Sequence, residues 1–199
     1  MNTLYSKIYS ISSHNDVKQA INYLKHTLKS PNAAKNLYYL VESTAKKLQT
    51  FPYKYSKIDD PLLDSYHIRY VAIKNYLLFY TVTEETKIIY IIRFLYSRID
   101  WQHILQHTVR YDEYLSQNTY GYVHEEQEEY GKQFRKEPTS IPGTPNSTNH
   151  DNNFGKDAAR QELLSELQKG LDDIKAGRTI PAEEVHARLA KKFEGYDFE

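Results

Sequence analysis

Residues 66–105 have the sequence YHIRYVAIKNYLLFYTVTEETKIIYIIRFLYSRIDWQHIL, and this stretch decides the fold. It contains three runs of β-branched and aromatic residues, 66–73, 76–83 and 87–94, which predict three consecutive strands. Asn75 and the polar sequence TEET separate the runs, as the turns of two hairpins would. The third run leads into polar and aromatic side chains at a strand end, where ligand-binding residues often collect. These side chains are Arg93, Tyr96, Arg98, Asp100 and Trp101.

One strand and two helices are predicted before this stretch. Residues 4–11 alternate between apolar and polar side chains in the manner of a strand. Apolar residues at helical spacing then predict one helix that ends at Ser30 and a second that runs from Ala34 to Leu48. The order β-α-α-β-β-β indicates an α+β fold, in which a helical hairpin packs on one face of a small, mainly antiparallel sheet.

The C-terminal half is organised differently. Residues 1–110 are predicted to form one domain, and residues 111–136 an extension whose structure the pattern does not assign. Residues 137–155 are rich in Pro, Gly, Ser and Asn and are predicted to form a disordered linker, because they bury too little apolar surface to fold. Residues 156–199 contain two amphipathic helices that need a partner surface, which we expect to be the first domain. Their apolar positions are Leu163, Leu167, Leu171, Ile174, Val185, Leu189 and Phe193.

Composition excludes several classes of protein. The chain has no cysteine, which excludes disulfide frameworks and thiolate metal sites and is typical of a cytoplasmic protein. No apolar run reaches the roughly 18 residues of a membrane span, and no motif predicts a metal or cofactor. Residues 1–110 have 15 Lys and Arg against 8 Asp and Glu, a net charge of +7, while residues 111–199 have 11 against 18, a net charge of −7. We therefore expect the two halves to attract each other.

Two segments resemble known families. The sequence NYLLFYTV at residues 75–82, followed by IIRFLYSRIDWQHIL at residues 91–105, resembles the toxins of the RelE/ParE superfamily from bacterial type II toxin–antitoxin modules. That resemblance implies a growth-inhibiting toxin, which acts either as a ribosome-dependent mRNA endonuclease or as a poison of DNA gyrase. The sequence ELLSELQKGLDDIKAGRTIPAEEVHARL at residues 162–189 resembles the C-terminal, toxin-binding part of Phd/YefM-like antitoxins. No DNA-binding half of such an antitoxin is recognisable.

The resemblance to the ribonuclease toxins implies candidate residues for RNA cleavage. Such an enzyme must bind phosphates, stabilise charge on the scissile phosphate and transfer a proton, and Arg, Lys, Tyr and His side chains suit these tasks. The candidates for catalysis are Arg69, Arg93, Tyr96 and Arg98. The candidates for binding RNA are Lys54, Lys57, His67 and Lys74.

One position departs from the ribonuclease pattern. Leu77 follows the tyrosine of the second strand, where the ribonucleases often have Arg, so cleavage requires Arg69 or Arg93 to take over that role. Strand alternation predicts that Arg93 points away from the face that Ile92 and Phe94 share.

The candidates also have structural interpretations. The strand tyrosines suit packing in a sheet, and His67 and the loop lysines suit an exposed surface. Arg98 can form a local ion pair with Asp100. Trp101 can cover the last strand as part of the core or act in the site.

Three functional hypotheses follow. The leading one is an mRNA-cleaving toxin domain that is neutralised by its own antitoxin-like tail, with a separate antitoxin as an alternative partner. The second is a non-enzymatic, ParE-type poison of DNA gyrase. The third is a structural protein with a vestigial toxin fold. In each case the tail can also exchange between two protomers and form a homodimer.

The neutralising contact is expected to combine apolar burial with charge. The leucine stripe of the tail should supply most of the binding energy. Arg69, Arg93 and Arg98 should lie together at one face of the sheet's end, and at least one should contact a tail carboxylate. The candidate carboxylates are Glu162, Glu166, Asp172, Asp173, Glu183 and Glu184.

Overall fold

The computed structural model describes residues 4–58, 60, 62–98, 101 and 152–193, with side chains of the last segment described from residue 158. In chain order the elements are β1 (Ser6–Ser10), α1 (Ile11–Asn22), a π-helical turn (Tyr23–Thr27), α2 (Pro31–Thr50), a 3-10 turn (Asp64–Tyr66), β2 (Arg69–Ile73), β3 (Tyr76–Thr83), β4 (Ile88–Tyr96), α3 (Asn152–Lys175), β5 (Thr179–Pro181), α4 (Ala182–Ala190) and a final 3-10 turn (Lys191–Phe193). None of the helices in these ranges has the length and apolar character to cross a bilayer.

The five strands form one mixed sheet with the order β2-β3-β4-β1-β5, in which β4 is central. β2, β3 and β4 are antiparallel neighbours, as the hairpin pattern predicts. β1 pairs with β4 in parallel, and β5 pairs with β1 antiparallel. The predicted α+β architecture is confirmed, and the additional pairings make the sheet mixed and one strand wider.

Two strands begin later than the sequence pattern predicts. β2 begins at Arg69 because His67 has a φ of 49° and therefore follows the 3-10 turn in the left-handed conformation. β4 begins at Ile88 because Lys87 has a φ of 53°. A left-handed residue interrupts extended backbone, so each marks where pairing starts. His67 is consequently a turn residue and not the exposed strand residue that the sequence suggests.

The helical hairpin of α1 and α2 covers one face of the sheet. Alternate positions of β3 show the division, since Leu78 and Tyr80 point to this face and Leu77 and Phe79 to the other. We call the buried side chains between the hairpin and the sheet the first core. They include Tyr9, Val17, Ile21, Leu37, Val41, Leu48, Leu78, Tyr80, Ile91 and Phe94.

Helix α3 covers the opposite face. Its residues Leu163, Leu167 and Leu171 are buried, and Ile174 packs beside them. The side chains that they meet form the second core, which includes Ile58, Leu63, Ile68, Tyr70, Leu77, Phe79, Ile92, Leu95 and Trp101. The predicted tail helix therefore buries its leucine stripe against the sheet. Trp101 lies in this core.

The chain then passes around the edge of the sheet, from the second core to the first. Gly177, with a φ of 69°, ends the turn after α3, and β5 adds to the free edge of β1 through the pairs Tyr9–Ile180 and Ser10–Thr179. The sequence pattern does not predict this strand, because three residues are too few to show a period of two.

Helix α4 completes the first core. Val185 and Leu189 are buried there, and Phe193 packs against it at 5.7 Å from the ring of Tyr38. All seven apolar tail positions named from the sequence thus face the rest of the protein. α3 begins at Asn152, inside the predicted linker; residues 102–151, which include the predicted extension and most of the linker, lie outside the described residues.

A histidine lies in the seam between α4 and the hairpin. The ring of His186 packs edge-on against Tyr9 at 5.9 Å and lies 6.1 Å from the ring of Tyr38. Both of its ring nitrogens are buried without a hydrogen-bond partner among the described residues. Burial therefore lowers the pKa of His186, assisted by Lys7 and Lys46 and opposed by Glu42 and Glu183.

The buried leucine stripe leads to a first prediction. Leu167 is 0% exposed in the second core, so Leu167→Ala should lower the free energy of unfolding of the full chain by about 2–5 kcal/mol. Urea unfolding followed by the fluorescence of Trp101, the only tryptophan, measures this. Gln168→Ala, at the exposed neighbouring position, should change the free energy by no more than about 0.5 kcal/mol. Equal effects of the two changes would contradict the packing described for α3.

The seam histidine leads to a second prediction. The pKa of His186 is lower in the folded than in the unfolded chain, so the unfolded state binds more protons between the two values. The stability from this group is complete above about pH 6.5 and is lost as the pH falls through the folded pKa. The urea midpoint of the wild type should therefore decrease between about pH 7.5 and about pH 5.5. His186→Phe should reduce that decrease. Part of the decrease in the urea midpoint should remain in this variant, because burial also lowers the pKa of His14.

Candidate functional site

The site is built on a bulge in the central strand. Along β3 and β4, Phe79 is opposite Arg93 while Tyr80 is opposite Ile91, so Ile92 is an extra residue on β4. A bulge places two successive side chains on the same face. Ile92 accordingly packs in the second core and Arg93 reaches α3 beside it, while Phe94 returns to the first core. The expectation that Arg93 opposes both neighbours is wrong because the bulge breaks the alternation.

Arg93 is the centre of a buried ion cluster. It is 7% exposed, and its Nε and Nη2 atoms donate to the two carboxylate oxygens of Asp16 at 2.7 and 2.9 Å. Its Nη1 donates to the carbonyl oxygen of Glu166 at 2.8 Å and to the Glu166 carboxylate at 2.5 Å. Burial opposes the charge, but both carboxylates outweigh it and raise the pKa of Arg93. The guanidinium therefore remains charged and is shared between α1 and α3.

Asp16 was not among the candidates from the sequence. It lies in α1, 77 residues before Arg93, and its Oδ2 also accepts the backbone N–H of Phe94 at 3.1 Å. The sequence contains no local signal for this role, because Asp16 lies close to Ser12, Ser13 and Asn15, and all four are residue types that commonly cap helices. Only the packing of α1 on the sheet brings it to the bulge.

Arg98, two residues after the end of β4, makes a second polar contact with α3. Its Nη1 donates to Glu162 at 2.7 Å, and its guanidinium lies 5.8 Å from the centre of the Trp101 ring. Both partners of this ion pair are more than 40% exposed. Asp100, the alternative local partner, lies outside the described residues. Glu162 and Glu166 are one helical turn apart, so α3 presents successive carboxylates to two arginines of the toxin-like half. The expected contact between tail carboxylates and arginines is confirmed.

Two further contacts fasten the tail. Arg160 donates to the buried carboxylate of Asp60 at 2.7 Å. Asp173 accepts the backbone N–H and the hydroxyl of Ser12 at 2.8 and 2.6 Å, and Arg178 donates to its other oxygen. Burial opposes the charge of Asp173, but these donors lower its pKa. The polar contacts thus continue along α3 from its first described side chains to its C-terminal end.

Arg69 lies on the other face of the sheet. It is paired with Tyr80, whose side chain belongs to the first core. Its Nη1 donates to the carbonyl oxygen of Tyr55 at 2.5 Å, and its guanidinium lies 5.2 Å from the centre of the Tyr53 ring. Arg69 therefore holds the loop after α2 and does not join Arg93 and Arg98. The expectation that these three arginines share one face is wrong for Arg69, because its strand position faces the hairpin.

Tyr96 is exposed at the end of β4. Its side chain is 58% exposed and packs edge-on against Tyr76 at 5.5 Å. Through the strand pairing, Arg69 is level with Ile91, so Tyr96 lies five residues farther along β4, on the order of 15 Å away. The four candidates for catalysis are thus distributed over both faces and two levels of the sheet.

The candidates for binding RNA are also dispersed. Lys54 lies 5.8 Å from the ring of Tyr55, and Lys57 forms an ion pair with Asp64. His67 and Lys74 are exposed turn residues at opposite ends of β2. Leu77, which replaces the arginine of the ribonuclease pattern, is buried in the second core beneath α3. Within the described residues, no group of three or more His, Asp or Glu side chains is placed to hold a metal ion.

A family model described as "ParE toxin of type II toxin-antitoxin system, parDE" matches residues 8–101. The match extends from β1 to Trp101 and does not include α3, β5 or α4. No curated protein matched the chain. Residues 8–101 are therefore similar to the ParE toxins of type II toxin–antitoxin systems, which supports the place of this segment in the RelE/ParE superfamily.

Proposed function

We propose that residues 4–101 are a growth-inhibiting toxin and that α3, β5 and α4 neutralise it in cis, as an antitoxin segment would. The observation that carries this proposal is the position of the tail. α3 packs against the second core on one face of the toxin-like sheet, β5 occupies the free edge of β1, and α4 packs on the hairpin. A target that needs this face or this edge cannot reach it while the tail is docked.

The tail contacts have the character of a strong, specific interface. The large apolar side chains that α3 and α4 bury are Leu163, Leu167, Leu171, Val185 and Leu189. Apolar burial supplies most of the energy, and the ion pairs Arg93–Glu166 and Arg98–Glu162 add local charge complementarity. Covalent attachment adds a high effective concentration of the tail beside its own face. The same contacts allow exchange of tails between two protomers or replacement by a separate antitoxin.

The geometry favours a protein target over cleavage of mRNA. A nuclease needs convergent groups around one phosphate, whereas Arg69 lies on the opposite face of the sheet from Arg93, and Tyr96 lies on the order of 15 Å from Arg69. Arg93 is already neutralised by Asp16 of its own domain, and Leu77 is buried where the ribonucleases often have Arg. We therefore place the non-enzymatic, ParE-type activity against DNA gyrase, in the cytoplasm, ahead of ribosome-dependent cleavage.

A growth assay tests this proposal. Induced expression of the wild-type chain should be tolerated, whereas the double variant Leu167→Asp and Leu171→Asp should arrest growth, because two buried charges prevent docking of α3. Ser165→Asp adds the same charge at an exposed position and should behave as the wild type. Arrested cells should have intact transcripts and altered plasmid supercoiling. Limited proteolysis checks that the toxin unit of the double variant remains folded.

Each other outcome of this assay is informative. Cleaved transcripts in arrested cells would replace the gyrase proposal with mRNA cleavage. Harmless expression of the double variant, with the toxin unit protected from protease, would support a structural protein with a vestigial toxin fold.

The exposed ion pair should contribute little to neutralisation. Glu162 and Arg98 are both well exposed, and such a pair is worth only about 0.2–1 kcal/mol. Glu162→Lys should therefore leave full-length expression tolerated and should lower the urea midpoint slightly. Growth arrest by Glu162→Lys alone would mean that electrostatic masking of Arg98, and not apolar packing, silences the domain.

A further inference from the structure

Two buried serine hydroxyl groups hold the backbone of the β4 bulge in position. The hydroxyl of Ser10 donates to the carbonyl oxygen of Ile92 at 2.7 Å, and the hydroxyl of Ser13 donates to the carbonyl oxygen of Ile91 at 2.9 Å. Ser10 also accepts the backbone N–H of Ser13 at the N-terminus of α1. Both serines are fully buried. The two carbonyl groups of the bulge are therefore each held by a buried hydroxyl group.

Gly170 lies directly against this rigid backbone. A Cβ atom at Gly170 would be 2.2 Å from the carbonyl oxygen of Ile92, 2.7 Å from its Cγ2 atom and 2.9 Å from its carbonyl carbon. Such distances are far below van der Waals contact, and two of the three atoms belong to backbone that cannot move without breaking the serine contacts. The helix can approach the bulge this closely only where it has no side chain.

Arg93 imposes a second requirement on α3, which concerns Glu166, one helical turn before Gly170. Asp16 occupies the Nε and Nη2 atoms, so the guanidinium is fixed with Nη1 toward α3. There it meets the carbonyl and the carboxylate of Glu166. Burial acts against ionisation of Glu166, but Lys169 and Arg93 lower its pKa. A neutral side chain at this position would leave the buried guanidinium with one carboxylate fewer.

We propose that the bulge at Ile92 and Arg93 is a selectivity site that accepts a docking helix only if it has a carboxylate and, four residues later, a glycine. The occupant is α3 of this chain, supplied in cis or by a second copy, with Glu166 and Gly170 between the leucines of its stripe. Apolar burial alone distinguishes amphipathic helices poorly. Here the steric clash and the unpaired charge reject the wrong helix. This inference rests on the proposed function only in taking α3 as the neutralising segment.

Retention of the tail after cleavage tests the site. A protease site is inserted within residues 102–151 of the full-length chain, the folded protein is cut, and tail retention is measured by gel filtration over a dilution series. The wild type should retain its tail. Gly170→Ala should weaken retention roughly tenfold or more through overpacking, and Glu166→Gln should do so to a similar extent through the unpaired charge. Ser165→Ala, an exposed change in the same turn, should have no effect.

The direction in which Gly170→Ala changes tail retention distinguishes a steric clash from an effect of helix propensity. Alanine is the better helix former, so helix propensity alone predicts that Gly170→Ala tightens retention. Unchanged or tighter retention of Gly170→Ala, or unchanged retention of the isosteric Glu166→Gln, would overturn the proposal. Hydrogen exchange of the uncut variants should show loss of protection in α3 while α1 and α2 remain protected.

The result is separate from the growth assay. Retention is measured without toxicity, so a harmless toxin domain would not affect the selectivity of the bulge. Failure of the selectivity would equally leave the growth assay unchanged.

Discussion

The burial of β4 on both of its faces is the constraint on which the rest of the structure depends. β4 is the central strand, and its side chains alternate between two apolar cores. The hairpin of α1 and α2 can cover only one of them. The second face exposes Leu77, Phe79, Ile92 and Leu95 unless another segment covers it, and α3 is that segment. The tail is therefore part of the fold as well as the proposed inhibitor of the toxin.

The bulge makes the apolar contact between the sheet and α3 specific for particular residues of α3. An uninterrupted strand would direct Arg93 away from the face of Ile92. The extra residue brings Arg93 to α3 and presents the Ile92 carbonyl to Gly170. Arg93 then joins α1, β4 and α3 through two carboxylates. One irregularity of the central strand thus determines where the tail docks and which residues it needs, because a buried charge and a fixed carbonyl tolerate few partners.

The packing of the sheet also keeps the candidate residues for RNA cleavage apart. The similarity of residues 8–101 to ParE toxins concerns the sheet and hairpin. The candidate residues for RNA cleavage have other contacts: Arg69 holds the loop after α2, Arg93 is paired with Asp16, and Tyr96 is exposed at the strand end beside Tyr76. A fold can be kept while its site changes, and this dispersal is the basis for preferring a protein target.

The sequence by itself determined the α+β class, the hairpin, the three consecutive strands and the leucine stripe, because each depends on a local repeat of two or 3.6 residues. It also named Arg93, Arg98 and the tail carboxylates as partners. Tertiary structure alone decided the rest. β5 is too short for a period, the bulge depends on pairing with β3, and Asp16 reaches Arg93 across 77 residues of chain. Gly170 is a weak helix residue in the sequence and becomes necessary only where α3 crosses Ile92, because close contact between two backbones is a property of the packed molecule.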